Sequence, residues 1–530
     1  MKFTKNPTPL VRLFADAALG FVLVMSAAFA AFAAPGDPDS GFGQGGTILT
    51  EFDANAEARI VLAQPDNKIV AAGHIVYPGA NPSYDFAVAR YNPDGSPDTT
   101  FGTGGRTVTS ILTRDIVRTG TLQPDGKILI AGSANGDFAL VRYNADGTLD
   151  TSFDGDGKVV TELAASDSGI RSVLVQPDGK IIAVGGDDNF YIYIVRYNAD
   201  GTPDASFGSG GKVTTHAADQ GVRGRTALLQ PDGRIVVGGD YWVNGDSTNS
   251  ALFRYHADGT PDNSFDGDGL AFYSLSASHD GVSKIFLRPD GKLMSVGTTA
   301  NIAENRLDYA FGVYNANGTP DTSFGDQGFK ILPAVGMIGV SSALVQPDGK
   351  IVVAGTKTDP FNGSLRRFHV ARFDANAAFD PTFGNGGRYN LPVGYSSTGF
   401  SVAIQTDGKL LLAGEGMPVG TRKSHFAVNR LQGGNGAVPT SANITGRVID
   451  DFKQRGFGGA TVILTGGSLS APRYTRTNPF GFYRFHDLPV GAQYTITIAT
   501  KRSTSHAGST QIVLNGNDHA DDIIYRPVTN

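Results

Sequence analysis

Apolar residues in this chain come in short runs rich in Val, Ile, Leu, Tyr and Phe, cut off by Gly, Pro, Asn and Asp. That is a strand signature, and no stretch of useful length shows the 3.6-residue apolar spacing of a helix. One unit makes the pattern plain. Ser172 to Val175 is a short apolar run, and Pro177-Asp178-Gly179 is a tight turn. There Pro presets φ and Gly accepts a positive φ. Lys180 to Val184 predicts a second strand ended by Gly185, and Tyr191 to Tyr197 a third. Asn198 to Gly201 turns the chain again, and Gly211 to Thr215 predicts a fourth strand after the Phe207-Gly208 corner.

The unit recurs. The turn phrase reads QPDNK at Gln64, QPDGK at Gln123 and Gln176, QPDGR at Gln230, RPDGK at Arg288, QPDGK at Gln346 and QTDGK at Gln405. A Phe corner stands at Phe42, Phe101, Phe153, Phe207, Phe265, Phe324 and Phe383, and an Arg ends the third strand at Arg90, Arg142, Arg196, Arg254, Arg372 and Arg430. The fifth copy has Val313 instead. Seven copies at roughly 52 to 59 residues, with four strands each, predict a seven-bladed β-propeller. A β-solenoid fits less well, because its coils lack four-strand meanders. The phase predicts how the array ends. Gly46 to Thr50 is a fourth strand with no preceding three, and the last copy supplies three strands without a fourth. The N-terminal strand is therefore expected to complete the last blade and shut the ring, removing two exposed edges.

After a Gly, Pro and Ser linker at 433–442, strand-like runs continue at Ile444 to Asp450, Ala460 to Thr465, Gly481 to His486, Tyr494 to Ala499, Thr510 to Leu514 and Asp522 to Tyr525. They predict a small β-sandwich over 443–530. The fold class read from sequence is thus all-β: a seven-bladed propeller over 34–432, then the sandwich.

The corner Phe-Gly-x-Gly-Gly (Phe101 to Gly105, Phe207 to Gly211, Phe383 to Gly387), the Pro-Asp-Gly-Lys turn and Arg-Tyr-Asn-x-Asp-Gly (Arg90 to Gly95, Arg142 to Gly147) resemble the delta-60 repeats of bacterial exported proteins. That family implies a propeller-like architecture and no established activity. Ile444 to Val448, Gly459 to Val462, Asn478 to Phe485, Leu488 to Gly491 and Tyr494 resemble the carboxypeptidase regulatory-like, or transthyretin-like, domain. Thr477-Asn478-Pro479-Phe480-Gly481 stands where that family has Thr-Asp-x-x-Gly. The resemblance implies an accessory module without a peptidase zinc site.

Composition narrows the class. The chain has 530 residues, no Cys, 70 Gly and 27 Pro, with 18% charged residues and a net charge of −6. This excludes a coiled coil, a disulfide scaffold and a highly charged disordered chain. No basic stripe is visible that would suggest nucleic-acid binding. Lys2, Lys5 and Arg12 precede an apolar stretch from Ala17 to Phe32 and an Ala31-Phe32-Ala33 motif. That order predicts a signal peptide over 1–33 and an exported product: secreted, periplasmic or on the cell surface. The apolar stretch, about 15 residues, is short for a membrane span.

Candidate chemistry is sparse. Asn144 to Asp150 overlays part of an EF-hand loop, but Arg142 and Phe153 occupy the places that need acids. Asp154-Gly155-Asp156-Gly157 and Asp266-Gly267-Asp268-Gly269 leave calcium as an alternative, with turn chemistry the preferred reading and no metal expected. Gly41 to Gly46 matches GxGxxG but lacks a preceding strand and a following helix, so no dinucleotide site is expected. Asp98, Asp150, Asp204, Asp262, Asp321 and Asp380 recur near the corners and are expected to pair with the recurrent Arg. No catalytic residues stand out.

The connection between second and third strands varies most: short at Ser133 to Asp137, longer at His74 to Asp85, Asp240 to Ser250, Thr298 to Asp308, Thr356 to His369 and Glu415 to His425. Variable loops on a rigid scaffold often carry binding. The candidate ligand residues are therefore Tyr241, Trp242, Arg366, Arg367, His369, Lys423 and His425, against the plainer reading of solvated tips. The functional expectation is an exported non-enzymatic scaffold that binds a protein or glycan on this face. The alternatives are a secreted propeller enzyme acting on glycans and a calcium-stabilised adhesin.

Overall fold

A computed structural model describes residues 33–525, apart from 164–167, 217–220, 244–246, 277–278, 305, 335, 360–364, 435–440, 451–454, 467–468, 470, 480, 490–491, 500–508, 515–517 and 520–522. The expected signal peptide, save its last residue, and much of the expected linker lie outside the described residues. All regular structure among the described residues is strand. No helix there is long and apolar enough to cross a membrane.

Seven antiparallel four-stranded sheets follow one another, as a β-propeller requires. Their first strands are Asn55–Ala63, Asp115–Leu122, Gly169–Val175, Val222–Leu229, Asp280–Leu287, Met337–Val345 and Ser396–Ile404. Six sheets take their fourth strand from the same repeat. The seventh takes it from the N-terminus: Thr47–Thr50 pairs with His425–Leu431, Ile48 lying opposite Val428. The phase of the repeats thus anticipated this pairing correctly.

Each sheet shares a hydrophobic core with the next. Sheet seven shares one with sheet one, where Phe426 and Val428 pack with Ala56, Ala58 and Tyr91. The corner Phe101, Phe153, Phe207 and Phe265 are fully buried in these seams, each contributing about 2 kcal/mol by area. The Tyr that follows the recurrent Arg reaches back to the preceding sheet. Tyr143 Oη donates to Thr109 Oγ1 at 2.8 Å, and Tyr197 and Thr161 share a 2.7 Å bond.

The recurrent Arg is a clamp. Its Nε meets the expected Asp: Arg90–Asp98 at 2.7 Å, Arg142–Asp150 at 2.6 Å, Arg196–Asp204 at 2.7 Å, Arg254–Asp262 at 2.7 Å and Arg372–Asp380 at 2.9 Å. The same guanidinium lies 4.3–4.7 Å over its corner Phe and donates to a turn carbonyl of the next repeat, as Arg196 does to Ala257 O at 2.6 Å. In sheet seven the Asp comes from the N-terminal segment, Asp39, 2.8 Å from Arg430. In repeat five, which lacks the Arg, Asp321 is held by Lys292 at 2.6 Å. That lysine belongs to the Pro-Asp-Gly-Lys turn, whose other copies reach the same Asp, as Lys127 reaches Asp150 at 2.9 Å.

Gly185 does not end its strand, as the pattern suggested. It lies inside Ile181–Gly186, next to a register shift between Ile170 and Ser172. The extra residue is Arg171, and the β-bulge it makes brings the Gly169 carbonyl against Gly185. A Cβ on Gly185 would stand 2.0 Å from that oxygen, and the equivalent Gly73, Gly132, Gly239, Gly297, Gly355 and Gly414 would meet a carbonyl at 1.8 Å. Only Gly fits, and a bulge interrupts the alternation of faces. This is why the first strand, read from Ser172, begins earlier at Gly169.

The last domain has two sheets. Ser441–Asp450 pairs with Phe482–Pro489, Arg455–Gly456, Asp518–His519 and Ile523–Tyr525. Thr461–Gly466 lies between Arg473–Arg476 and Ala492–Ala499, and the latter pairs Ser509–Leu514. Arg473–Arg476 was not anticipated, its sequence RYTR being polar. Val448, Val462, Leu464, Phe485, Tyr494 and Ile496 form the core. Asn478 Oδ1 accepts from Phe482 N at 3.0 Å, so Asn serves as the turn acceptor here.

Candidate functional site

The bulge recurs in the first strand of all seven sheets, and the residue it inserts is Arg59, Arg118, Arg171, Arg225, Ser283, Ser341 or Phe400. A bulge re-aims a side chain. These seven residues, from seven separate strands, line one cavity of about 450 Å³. Lys284 lines it too, while no Asp or Glu is among its described lining residues. Cations dominate one side, from sheets one to four; hydroxyls and Phe400 dominate the other.

Two of the arginines are fixed by carboxylates outside the lining. Arg59 donates to Glu57 at 2.7 Å and lies 4.0 Å over the Phe400 ring. Arg225 Nε meets the buried Asp240 at 2.6 Å. Arg171 forms no ion pair among the described residues, and its Nε is buried without a hydrogen-bond partner. Burial, then the charges of Arg118, Arg225 and Arg223, pull its guanidinium down to about 9 against Asp240. Burial likewise lowers Lys284.

Beside the cavity, between sheets one and seven, stands a carboxylate pair. Burial pushes Glu57 up, yet His74 at 2.6 Å and Arg59 outweigh it and hold the carboxyl at about 2. Burial, then the charge of Glu57, pushes Glu415 up while Thr398 donates to it at 3.0 Å.

The residues expected on variable loops lie mostly in strands, because the second and third strands run on past the predicted ends. Tyr241 and Trp242 belong to Ile235–Val243. Tyr241 stacks on Phe272 at 4.8 Å, whereas Trp242 packs on Phe190 at 4.7 Å with Arg223 over it at 5.1 Å. Arg366, Arg367 and His369 belong to Arg366–Phe373. His369 is buried, its Nε2 bonded to Tyr309 Oη and its Nδ1 to Asn390 Oδ1 at 2.7 Å, so it is no loop tip. His425 opens His425–Leu431, and only Lys423 sits in a connection, exposed. These residues occupy sheets four, six and seven.

The bulge arginines were missed in the sequence, where no basic stripe shows. They are 53 to 59 residues apart, and each stands five residues before the first residue of its turn phrase. Aligning the repeats on that phrase reads Arg, Arg, Arg, Arg, Ser, Ser, Phe down the column, and would have found them.

The acids once considered for calcium serve turns: Asp156 Oδ1 accepts from Lys158 N and Asp268 Oδ1 from Leu270 N, both at 2.9 Å. Among the described residues no group of three or more His, Asp or Glu could hold a metal ion.

Residues 64–101, 123–153, 176–207, 230–265 and 346–383 match a β-propeller domain of unknown function, DUF5122. Residues 443–522 match the carboxypeptidase regulatory-like domain. Curated proteins include no match. Among solved structures, the chain is similar to the β-propeller domain of the Trilobed protease from Pyrococcus furiosus, at 11% identity and TM-score 0.38, covering 73% of this chain and 97% of that one. YCF48 bound to D1 peptide gives 11% and 0.39, over 75% and 99%. The endo-arabinase from Bacteroides thetaiotaomicron gives 11% and 0.30, over 52% and 96%.

Proposed function

We propose that this chain is an exported, non-enzymatic binding protein: a propeller of delta-60 type with a carboxypeptidase regulatory-like module, working without a metal on a protein or glycan outside the cytoplasm. One observation carries the reading. The cavity where the seven sheets converge presents cations and hydroxyls, whereas glycan hydrolysis needs two carboxylates flanking the bond. The six Arg–Asp clamps support it, because they assign the recurrent charged residues to holding sheets together.

A second reading, a glycan-acting enzyme, is favoured by Glu57 and Glu415, whose environments drive their pKa values apart as an acid and its partner carboxylate require. The full chain, incubated with a panel of soluble polysaccharides, separates the two. We expect melting shifts without release of reducing ends. Release that falls at least 100-fold in Glu57→Gln or Glu415→Gln overturns the non-enzymatic reading.

A further inference from the structure

We propose that the central cavity binds a small oxyanion of at least two negative charges, such as phosphate, a phosphate monoester or a tricarboxylate, with Arg171 as its main contact. The bulge itself does not call for arginine. Sheets five, six and seven make the same bulge with Ser283, Ser341 and Phe400, and their backbone register shifts in the same way. Four consecutive arginines at this position are therefore an addition to the fold, and an unfavourable one by themselves, since like charges repel. Burial first, and then the charges of Arg118, Arg225 and Arg223, lower Arg171, so the repulsion adds to the cost of desolvation.

Nearby carboxylates relieve it in part. Glu57 holds Arg59 and Asp240 holds Arg225, which fixes the two outer arginines of the row. Between them, Arg171 offers a planar fork with a buried, unsatisfied Nε, and Lys284 adds a further cation without an ion pair among the described residues. A guanidinium fork pairs with phosphate or carboxylate through two parallel hydrogen bonds. The described lining residues include no Asp or Glu, so beyond what Glu57 and Asp240 offset, the counter-charge comes from solution. A volume of about 450 Å³ admits a molecule of phosphate or citrate size and suits a small-ligand site. The hydroxyl side gives such a ligand further donors, while Phe400 remains covered by Arg59.

The inference adds a ligand to the proposed binding role, and rests on it only in taking the cavity to hold rather than transform its guest. The test is thermal melting and calorimetric titration of the full chain with sodium phosphate, sulfate and citrate, against acetate and chloride at matched ionic strength. A ligand of the native state raises the melting temperature by mass action. We expect phosphate or citrate to raise it by several degrees and acetate and chloride not to. Arg171→Gln should weaken Kd at least tenfold, Lys284→Met about threefold, and Arg171→Lys should fall between wild type and Arg171→Gln. Without anion, Arg171→Gln should melt no lower than wild type, because it removes a repelled charge; a purely structural arginine would show the opposite. No shift with any multivalent anion, or an equal shift in Arg171→Gln and Lys284→Met, overturns the inference. Those failures leave the non-enzymatic reading untouched. Hydrolysis of a bound phosphate monoester would overturn that reading and leave the anion site standing.

Discussion

Nine residues after the first residue of every turn phrase stands a glycine, from Gly73 to Gly414, and fourteen residues before that glycine stands the bulged residue. The two positions are one device. The bulge swings a carbonyl into the space a Cβ would fill, so the column stays Gly while the bulged position is free to vary. Gly185→Ala should therefore cost about 3 kcal/mol in urea unfolding, at the upper end for overpacking. Gly104→Ala is the comparison. It has a φ of +60° but nothing within 4 Å, and should cost about 1 kcal/mol from backbone conformation alone. Gly185 has no positive φ, so a cost no larger than that of Gly104 would mean that the carbonyl does not exclude a Cβ there.

At the scale of elements, much was legible. Strands bounded by Gly, Pro and Asp, the fourfold grouping, the Arg–Asp pairs and the N-terminal strand in the last sheet all followed from local chemistry and phase. The strand ends did not. The second and third strands of sheet four continue as a paired ribbon through Tyr241↔Asn249 and Trp242↔Thr248, where polar residues on the strands imitate a loop. The arginine row escaped because no local window holds two of its members. It exists only once seven strands converge.

The N-terminal element allows a direct test. A chain starting at Ala56 lacks Thr47–Thr50, the buried Phe42 and Phe52, and Asp39, the partner of Arg430. It should melt on the order of 10 °C lower, with a broader transition, than the chain from Ala34. An unchanged, sharp melt would show that sheet seven is complete with three strands.

At the scale of the molecule, the clamps tie stability to pH. Burial pushes Asp98 and Asp150 up, but hydrogen bonds from Thr100 and Lys68, or Ser152 and Lys127, with the clamp arginines, hold both well below the ordinary carboxylate range. Lys292, then Ser323, hold Asp321 at about 2. Asp39, Asp204, Asp262 and Asp380 are lowered as well. A carboxyl that binds its proton less readily when folded contributes its stability in full above the unfolded value, about 3.9, and loses it as pH falls toward the folded value. Asp115, Asp240 and Glu415 are raised and act the other way, but they are fewer. Melting temperature should hold nearly level from pH 7 to 5 and fall by more than about 10 °C between pH 4 and 2.5. A flat profile to pH 2.5 would remove the clamps from the stability of the fold.

The pairing of Thr47 with Asn429, across 382 residues, also sets an order of events. A ribosome makes the edge strand of sheet seven before any of the repeats and its partner after nearly all of them. At roughly 5–20 residues per second, that strand waits about 20 to 80 s for its partner. Its contact is among the most non-local in the chain, and such contacts form late. The nascent protein therefore carries a dangling β-edge through most of its synthesis, and completing sheet seven is a single late step that no earlier repeat can perform.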